Sequence, residues 1–257
     1  MGFLSAYASG LRERLAARPL DAADLEERLA GVGASRDMVS ALTENPPAVI
    51  AEVKRASPSA GTIAAEVNPA GLARAYEAGG AAAVSVLTEP DHFGGALADL
   101  ETVRAVVALP VLRKDFVVDA SQVLEARAHG ADSVLLIASC LRDDELMTLL
   151  ASSRDLGMEP IVETHGAEDL ERVLRTDARI VGVNARDLET LEVDLRRALD
   201  RLRGVPSDRV AVLESGVARR AHVEAALDAG AKAVLVGEVL MRSADPASAI
   251  RGLRGVS

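Results

Sequence analysis

The sequence predicts an α/β fold, a closed (β/α)8 barrel, and three observations predict it. From residue 48 onward, eight short, β-rich apolar runs alternate with longer stretches rich in Ala, Leu, Arg and Glu. The runs start roughly 20–35 residues apart, room for one strand, one helix and two short loops. A helix–Gly–Ala–strand junction also recurs, as AGGAAAV, HGADSV and AGAKAV, so the same unit is being repeated. Eight such units closing on themselves make a TIM barrel. The rival, an open doubly wound sheet, would carry a GxGxxG turn after its first strand, and here that turn reads KRASPSAG.

Along the chain, residues 1–47 precede the first run and hold two helical patterns, LSAYASGLRERLAAR and LEERLAGVG. They read as an N-terminal helical extension packed on the barrel of residues 48–257, the whole chain 1–257 forming one domain. The strands follow as AVIAEVK (48–54), AAVSVLT (82–88), PVLRKD (110–115) and SVLLIAS (133–139). EPIVET (159–164), IVGVNA (180–185), VAVLES (210–215) and AVLVGE (233–238) complete the set. Between them, LARAYEAGG, SQVLEARAHG, LMTLLASSRDLG and HVEAALDAGA place apolar residues at helical spacing. Each closes on Gly, where a helix C-terminus calls for positive φ.

Composition excludes several classes. Hydrophobic residues make up 49% of the chain, ample for a core, yet no apolar run nears the ~18 residues of a membrane span. The start lacks a cationic segment before an apolar stretch, so no secretory signal is read, and the residues after Met1-Gly2 do not suggest myristoylation. A net charge of −10 and 2% aromatics argue against a nucleic-acid surface, which needs clustered cations and stacking rings. The single cysteine, Cys140, fits a reducing cytoplasm and reads as a small buried filler at a strand end rather than a catalytic thiolate.

Barrel enzymes draw their catalytic groups from the C-terminal ends of the strands, and the polar residues of these runs fall there. Strand one closes with Glu52 and Lys54, two apart and so on one face. Strand three closes with Lys114, five with Glu163, six with Asn184, seven with Glu214 and Ser215, and eight at Gly237-Glu238. Glu214 and Ser215 are adjacent, so both reach the interior only if the strand bends. Charges alternate, Glu52, Glu163 and Glu214 against Lys54, Lys114 and Arg186, and mutual pairing is expected to keep them ionised. Burial would move a Lys down or a Glu up, which suits acid–base work. The four histidines share no ligand spacing, so no metal site is read; His165, two after Glu163, is the outside candidate for a role. Phosphate handling is read in Ser57-Pro58-Ser59-Ala60-Gly61, Ser215-Gly216-Val217 and Gly237-Glu238, where hydroxyls and glycine-opened backbone can meet an oxyanion.

With these residues in view, the chain resembles the indole-3-glycerol phosphate synthase family. The motifs are AEVKRASPS (51–59), LRKDF (112–116), PIVETH (160–165), VGVNARDL (181–188), LESGV (213–217) and VGEVLMR (236–242), in the family's order and spacing. AEVKRASPS with LRKDF is highly specific, whereas ESG and VGE occur in other phosphate-binding barrels. The resemblance implies a cofactor-free carboxy-lyase. Its reaction closes the ring of 1-(o-carboxyphenylamino)-1-deoxyribulose 5-phosphate to indole-3-glycerol phosphate, releasing CO2 and water. It further implies that Lys114 protonates the ribulose carbonyl, that Glu163 is the partner acid/base, and that Lys54, oriented by Glu52, faces the substrate carboxylate and serves dehydration. Asn184, Glu214 and Ser215 would line the pocket and Arg186 support its charge balance. Ser57, Gly216, Gly237 and the Glu238 backbone would hold the phosphate.

Phe93, Phe116, Leu135 and Leu188 are candidates for the apolar wall that an anthranilate ring requires. The chain departs from the family's pattern at Ala96, at Glu238 and at Val239, where Ser is common, which touches the phosphate contacts rather than the reaction. Two other readings stand beside it. A phosphoribosylanthranilate isomerase would need a Cys near the end of strand one, where this chain has Glu52 and Lys54. A non-catalytic ligand-binding barrel would have little use for so many titratable groups at one mouth. The expected partner is a phosphorylated small molecule, with neither nucleic acid nor membrane, and the expected assembly a monomer or weak homo-oligomer.

Overall fold

The computed structural model describes residues 3–57, 61–63, 67–188 and 190–256. Eight parallel strands close into a barrel: β1 Ala48–Val53, β2 Ala83–Leu87, β3 Val111–Lys114, β4 Ser133–Ile137, β5 Ile161–Thr164, β6 Ile180–Asn184, β7 Val210–Glu214 and β8 Ala233–Val236. Neighbours in sequence are neighbours in the barrel, and β1 pairs with both β2 and β8, so each of these eight strands is paired on both sides. Nearly every strand residue is buried, because helices cover the outside and side chains fill the inside. Four of the helices between strands end as the Gly spacing predicts, with Gly80, Gly130, Gly157 and Gly230 at positive φ.

Strand ends differ from expectation by a residue or two. β1 stops before Lys54, β5 starts at Ile161, and β8 ends at Val236, with Gly237 leading into the short helix Glu238–Met241. A two-residue ribbon pairs Ala56–Ser57 with Gly61–Thr62 after β1. The residues between its arms, Pro58, Ser59 and Ala60 of the predicted phosphate segment, lie outside the described residues.

The extension holds three helices rather than the two its patterns predicted: α1 Phe3–Ala17, α2 Ala22–Ala30 and α3 Met38–Thr43. The third is short, six residues, and starts at Asp37, whose carboxylate accepts from the Ser40 N–H at 3.0 Å. Its Met38 and Leu42 are fully buried against β1, β2 and β7. α2 lies along the helix Ala120–Ala128, while α1 packs on the turn after β4. There Arg12 donates to the Cys140 carbonyl at 2.8 Å and pairs with Glu145 at 2.9 Å.

Between α2 and α3 the chain is anchored by Asp132, a fully buried carboxylate just before β4. It accepts from the N–H of Arg36 and of Val111, each at 2.9 Å, and meets Arg104 at 3.2 Å. Burial pushes its carboxyl up to about 6, against the opposing pull of the Val111 N–H and of Arg104 and Arg127. A folded value above the unfolded ~4 means stability present at low pH and lost as pH rises through 6. Asp132→Ala leaves two backbone donors without their acceptor and takes the carboxylate partner from Arg104, and should destabilise the fold by about 3 kcal/mol near pH 4. Urea unfolding should show the gap between parent and variant narrowing from about pH 4 to 6 and levelling off above that.

Candidate active site

A cavity of about 570 Å³ opens at the C-terminal end of the barrel. Strand register decides what stands at its floor. Glu163 of β5 lies beside Gly182 of β6, and Asn184 of β6 beside Glu214 of β7. A side chain at Gly182 would run into the Glu214 carboxylate, so the missing Cβ makes the space in which that carboxylate sits. Gly182→Ala should therefore displace Glu214, with a loss of about 1–3 kcal/mol in stability and a fall in turnover, read from thermal melts and steady-state rates.

Lys114 rises from the end of β3 between two carboxylates. Its Nζ is 2.7 Å from Glu163 and 3.2 Å from Glu214, and both acids are 1% exposed. Burial alone would lower the Lys114 pKa; Glu163, Glu214 and Glu52 outweigh it and raise it, so Lys114 is an ammonium. The two acids part company. Burial pushes the Glu163 carboxyl up, but Lys114 and then His165 overcome it and hold Glu163 well below the usual carboxylate range. For Glu214, burial and the neighbouring Glu163 charge outweigh Lys114 and raise it well above that range.

One expected shift is met and the other reversed. Glu214 moves up, as burial was expected to move a Glu, because desolvation and the Glu163 charge outweigh Lys114. Lys114 moves up, not down, because the adjoining acids outweigh its desolvation.

The remaining groups surround this centre. Lys54 and Glu52 form an ion pair at 2.6 Å beside it, as their shared face predicts. Asn184 donates to Glu163 Oε1 at 3.1 Å and accepts the Arg186 N–H at 2.9 Å. The Arg186 guanidinium donates to the Leu191 carbonyl at 2.8 Å, fastening the loop after β6. Ser215 and Gly216 adopt left-handed backbone, φ 65° and 76°, and this bend lets Glu214 and Ser215 line one cavity although they are adjacent. Ser57, Gly216, Gly237 and Glu238 line the same end of the site, the Glu238 side chain drawn to Arg242 at 3.0 Å. Phe93, Phe116, Leu135 and Leu188 line it as well, whereas Gly61 of the predicted phosphate segment and the outside candidate His165 do not. Cys140 is buried outside it, and burial first, then the Glu163 charge, push its thiol up to about 12, which removes it as a nucleophile.

Several lining residues escaped the sequence reading. Glu89 follows β2, and its position past an apolar run was the available signal. Fully buried, it accepts the N–H groups of Asp91, His92 and Phe93 and the Tyr7 hydroxyl, the last at 2.7 Å. Tyr7 packs against Phe116 at 4.5 Å between ring centroids, so α1 braces the aromatic wall. No local pattern marks Tyr7, because Glu89, which accepts its hydroxyl, stands 82 residues away in the chain. Leu191, Val193 and Arg242 complete the rim.

The fold and this cavity define a (β/α)8-barrel enzyme with its acid–base groups at the C-terminal mouth. A family model described as indole-3-glycerol phosphate synthase matches residues 4–253. The indole-3-glycerol phosphate synthase of Micrococcus luteus is 51% identical over 264 residues, covering 100% of this chain and 98% of that protein. Indole-3-glycerol phosphate synthase 1 of Streptomyces coelicolor is 49% identical over 244 residues, covering 95% and 90%. The chain belongs to the indole-3-glycerol phosphate synthase family. Among solved structures, a 3-hexulose-6-phosphate synthase superposes with a TM-score of 0.66 at 20% identity, over 82% of this chain and 100% of that one, a likeness of fold alone.

Proposed function

We propose that this chain converts 1-(o-carboxyphenylamino)-1-deoxyribulose 5-phosphate to indole-3-glycerol phosphate, a step of tryptophan biosynthesis. The observation that carries the reading is Lys114 Nζ held at the cavity floor between two buried carboxyl groups, 2.7 Å from Glu163 and 3.2 Å from Glu214. The chemistry needs that kind of array. The ring carbon bearing the carboxylate attacks the ribulose carbonyl, and the carbonyl oxygen takes a proton, which Lys114 supplies. Departure of CO2 returns its bonding pair to the ring system. The new hydroxyl then leaves as water with a second proton, while the former CH2 beside nitrogen gives one up. One proton is consumed overall, and each transfer is acid–base work that titratable side chains can perform.

Glu163, ionised and in reach of Lys114, is suited to take and return the protons at nitrogen and in the dehydration. Lys54, positioned by Glu52, faces the substrate carboxylate and supplies the dehydration proton. Asn184 and Glu214 keep the two reacting groups in place. Ser57, Gly216, Gly237 and the Glu238 N–H hold the phosphate, whose binding supplies remote energy for aligning the reacting carbons. Phe93, Phe116, Leu135 and Leu188 receive the aromatic ring, joined by Leu191 and Val193. A monomer or weak homo-oligomer is the proposed working form. Among the described residues, no helix is long and apolar enough to cross a membrane, in keeping with a cytoplasmic location.

The deciding experiment incubates purified protein with the carboxyphenylamino-deoxyribulose phosphate and follows indole absorbance or fluorescence. An indole product with one CO2 released per turnover is expected. Unchanged substrate would remove the assignment and leave only the barrel.

A further inference from the structure

Glu214 is followed by Ser215 at φ 65° and Gly216 at φ 76°, two left-handed residues in succession where the cavity is assigned to phosphate. Ser215 carries a Cβ, so this backbone is strained and persists only where its neighbours over-determine it. One such neighbour is the loop after β6. A Cβ added to Gly216 would come within 2.7 Å of Val193 and 3.0 Å of Leu195, so no room is left on that side. The other is His222, in the first turn of the helix Arg220–Asp228. Its Nδ1 lies 3.1 Å from the Gly216 carbonyl oxygen, and its Nε2 accepts from Arg219 Nε at 3.0 Å.

These two contacts fix where the ring hydrogen sits. A guanidinium N–H only donates, so Nε2 is the acceptor and the hydrogen is on Nδ1, which donates to the Gly216 carbonyl. The Ala218 N–H is 3.3 Å from the same Nδ1, but a nitrogen that carries the hydrogen cannot also accept one. A peptide unit is planar and trans, so a carbonyl and the N–H of the next residue point opposite ways. Tying the Gly216 carbonyl to His222 therefore turns the Val217 N–H away from the helix, and Val217 lines the cavity.

We propose that His222 is a positioning residue for the ligand's phosphate. By holding the Gly216 carbonyl, it keeps the Ser215-Gly216-Val217 turn in the conformation that presents backbone N–H groups to the oxyanion, the Val217 N–H among them. Arg219 selects the tautomer that does this. His222 does not itself line the cavity, so it acts through the backbone and not on the reacting carbons. The role rests on the phosphate reading proposed above.

The test compares His222→Leu, which removes the donor, with His222→Asn, whose amide N–H₂ stands where Nδ1 does. Inorganic phosphate is titrated into the parent first. No binding there would show that the phosphate reading of the turn has failed, and this inference with it. Given binding, His222→Leu should weaken inorganic phosphate and raise KM by the same factor, about three- to tenfold, the loss expected for one hydrogen bond. Its kcat should stay within about twofold, because the groups at the cavity floor are untouched. His222→Asn should return both constants to within about twofold of the parent. Unmoved phosphate affinity in a folded His222→Leu, or a His222→Asn as impaired as the Leu variant, would overturn the role and leave His222 a part of the helix start only. Should His222→Leu not fold, His222→Ala takes its place in the same comparison, with the same outcomes deciding.

Discussion

Lys114→Ala is expected to lower kcat/KM by about 10³-fold or more while the protein still binds inorganic phosphate. The size follows from what the residue does twice. As the proton donor to the carbonyl it contributes on the order of 10²–10⁴-fold, and as a fixed cation it stabilises the oxygen on which charge develops. Phosphate binding is assigned to Ser57, Gly216, Gly237 and the Glu238 backbone at another side of the cavity, so calorimetric titration with phosphate should change little. A variant that keeps most of its activity would take the acid role from Lys114.

The same substitution should change how stability depends on pH. Without the ammonium, Glu163 loses the partner that keeps it ionised inside the barrel, and its folded pKa rises above the unfolded ~4.3. A raised carboxylate pKa contributes stability at low pH and loses it as pH climbs through the folded value. Thermal melts of Lys114→Ala should therefore fall more steeply between pH 5 and 8, roughly, than those of the parent, in which Glu163 is ionised throughout that range.

Glu163→Gln is expected to reduce kcat by about 10²–10⁴-fold with a much smaller change in KM. The amide has nearly the shape of the acid, so the loss reports chemistry and not a collapsed site. It cannot take a proton, and one of its ends must now turn an N–H₂ toward Lys114, His165 or Asn184, all of them donors. Single-turnover measurements should show a slow chemical step after normal binding. A normal rate would reassign the second acid/base, with Glu214 the next group in reach of Lys114.

Much of this was legible before any coordinates. The alternation of apolar runs and amphipathic stretches is a local property of the chain, and so is the placement of Lys114, Glu163 and Asn184 at or near strand ends. The pairing of Glu52 with Lys54 could be read because a pleat puts residues two apart on one face. Glu214 with Ser215 could not be settled in this way, because it depends on a left-handed turn at Ser215 that no residue preference announces. Tyr7 and Glu89 were missed for a related reason: their bond joins the extension to the loop after β2, and nothing in either segment alone points to the other. The third helix of the extension was missed because six residues are too few for a clear period.

The order of residues by itself determined the repeated βα unit, the closed barrel, and which side chains would reach its mouth, since all three follow from periodicities of the backbone acting over a few residues. Only the tertiary structure decided their charges. Whether a buried carboxyl keeps its proton depends on desolvation and on the sum of nearby charges, and those neighbours come from β1, β3, β5, β6 and β7 together. Glu163 and Glu214 are the same kind of residue near the ends of two strands. Lys114 overcomes burial for the first and holds its pKa down, whereas burial and the Glu163 charge raise the second.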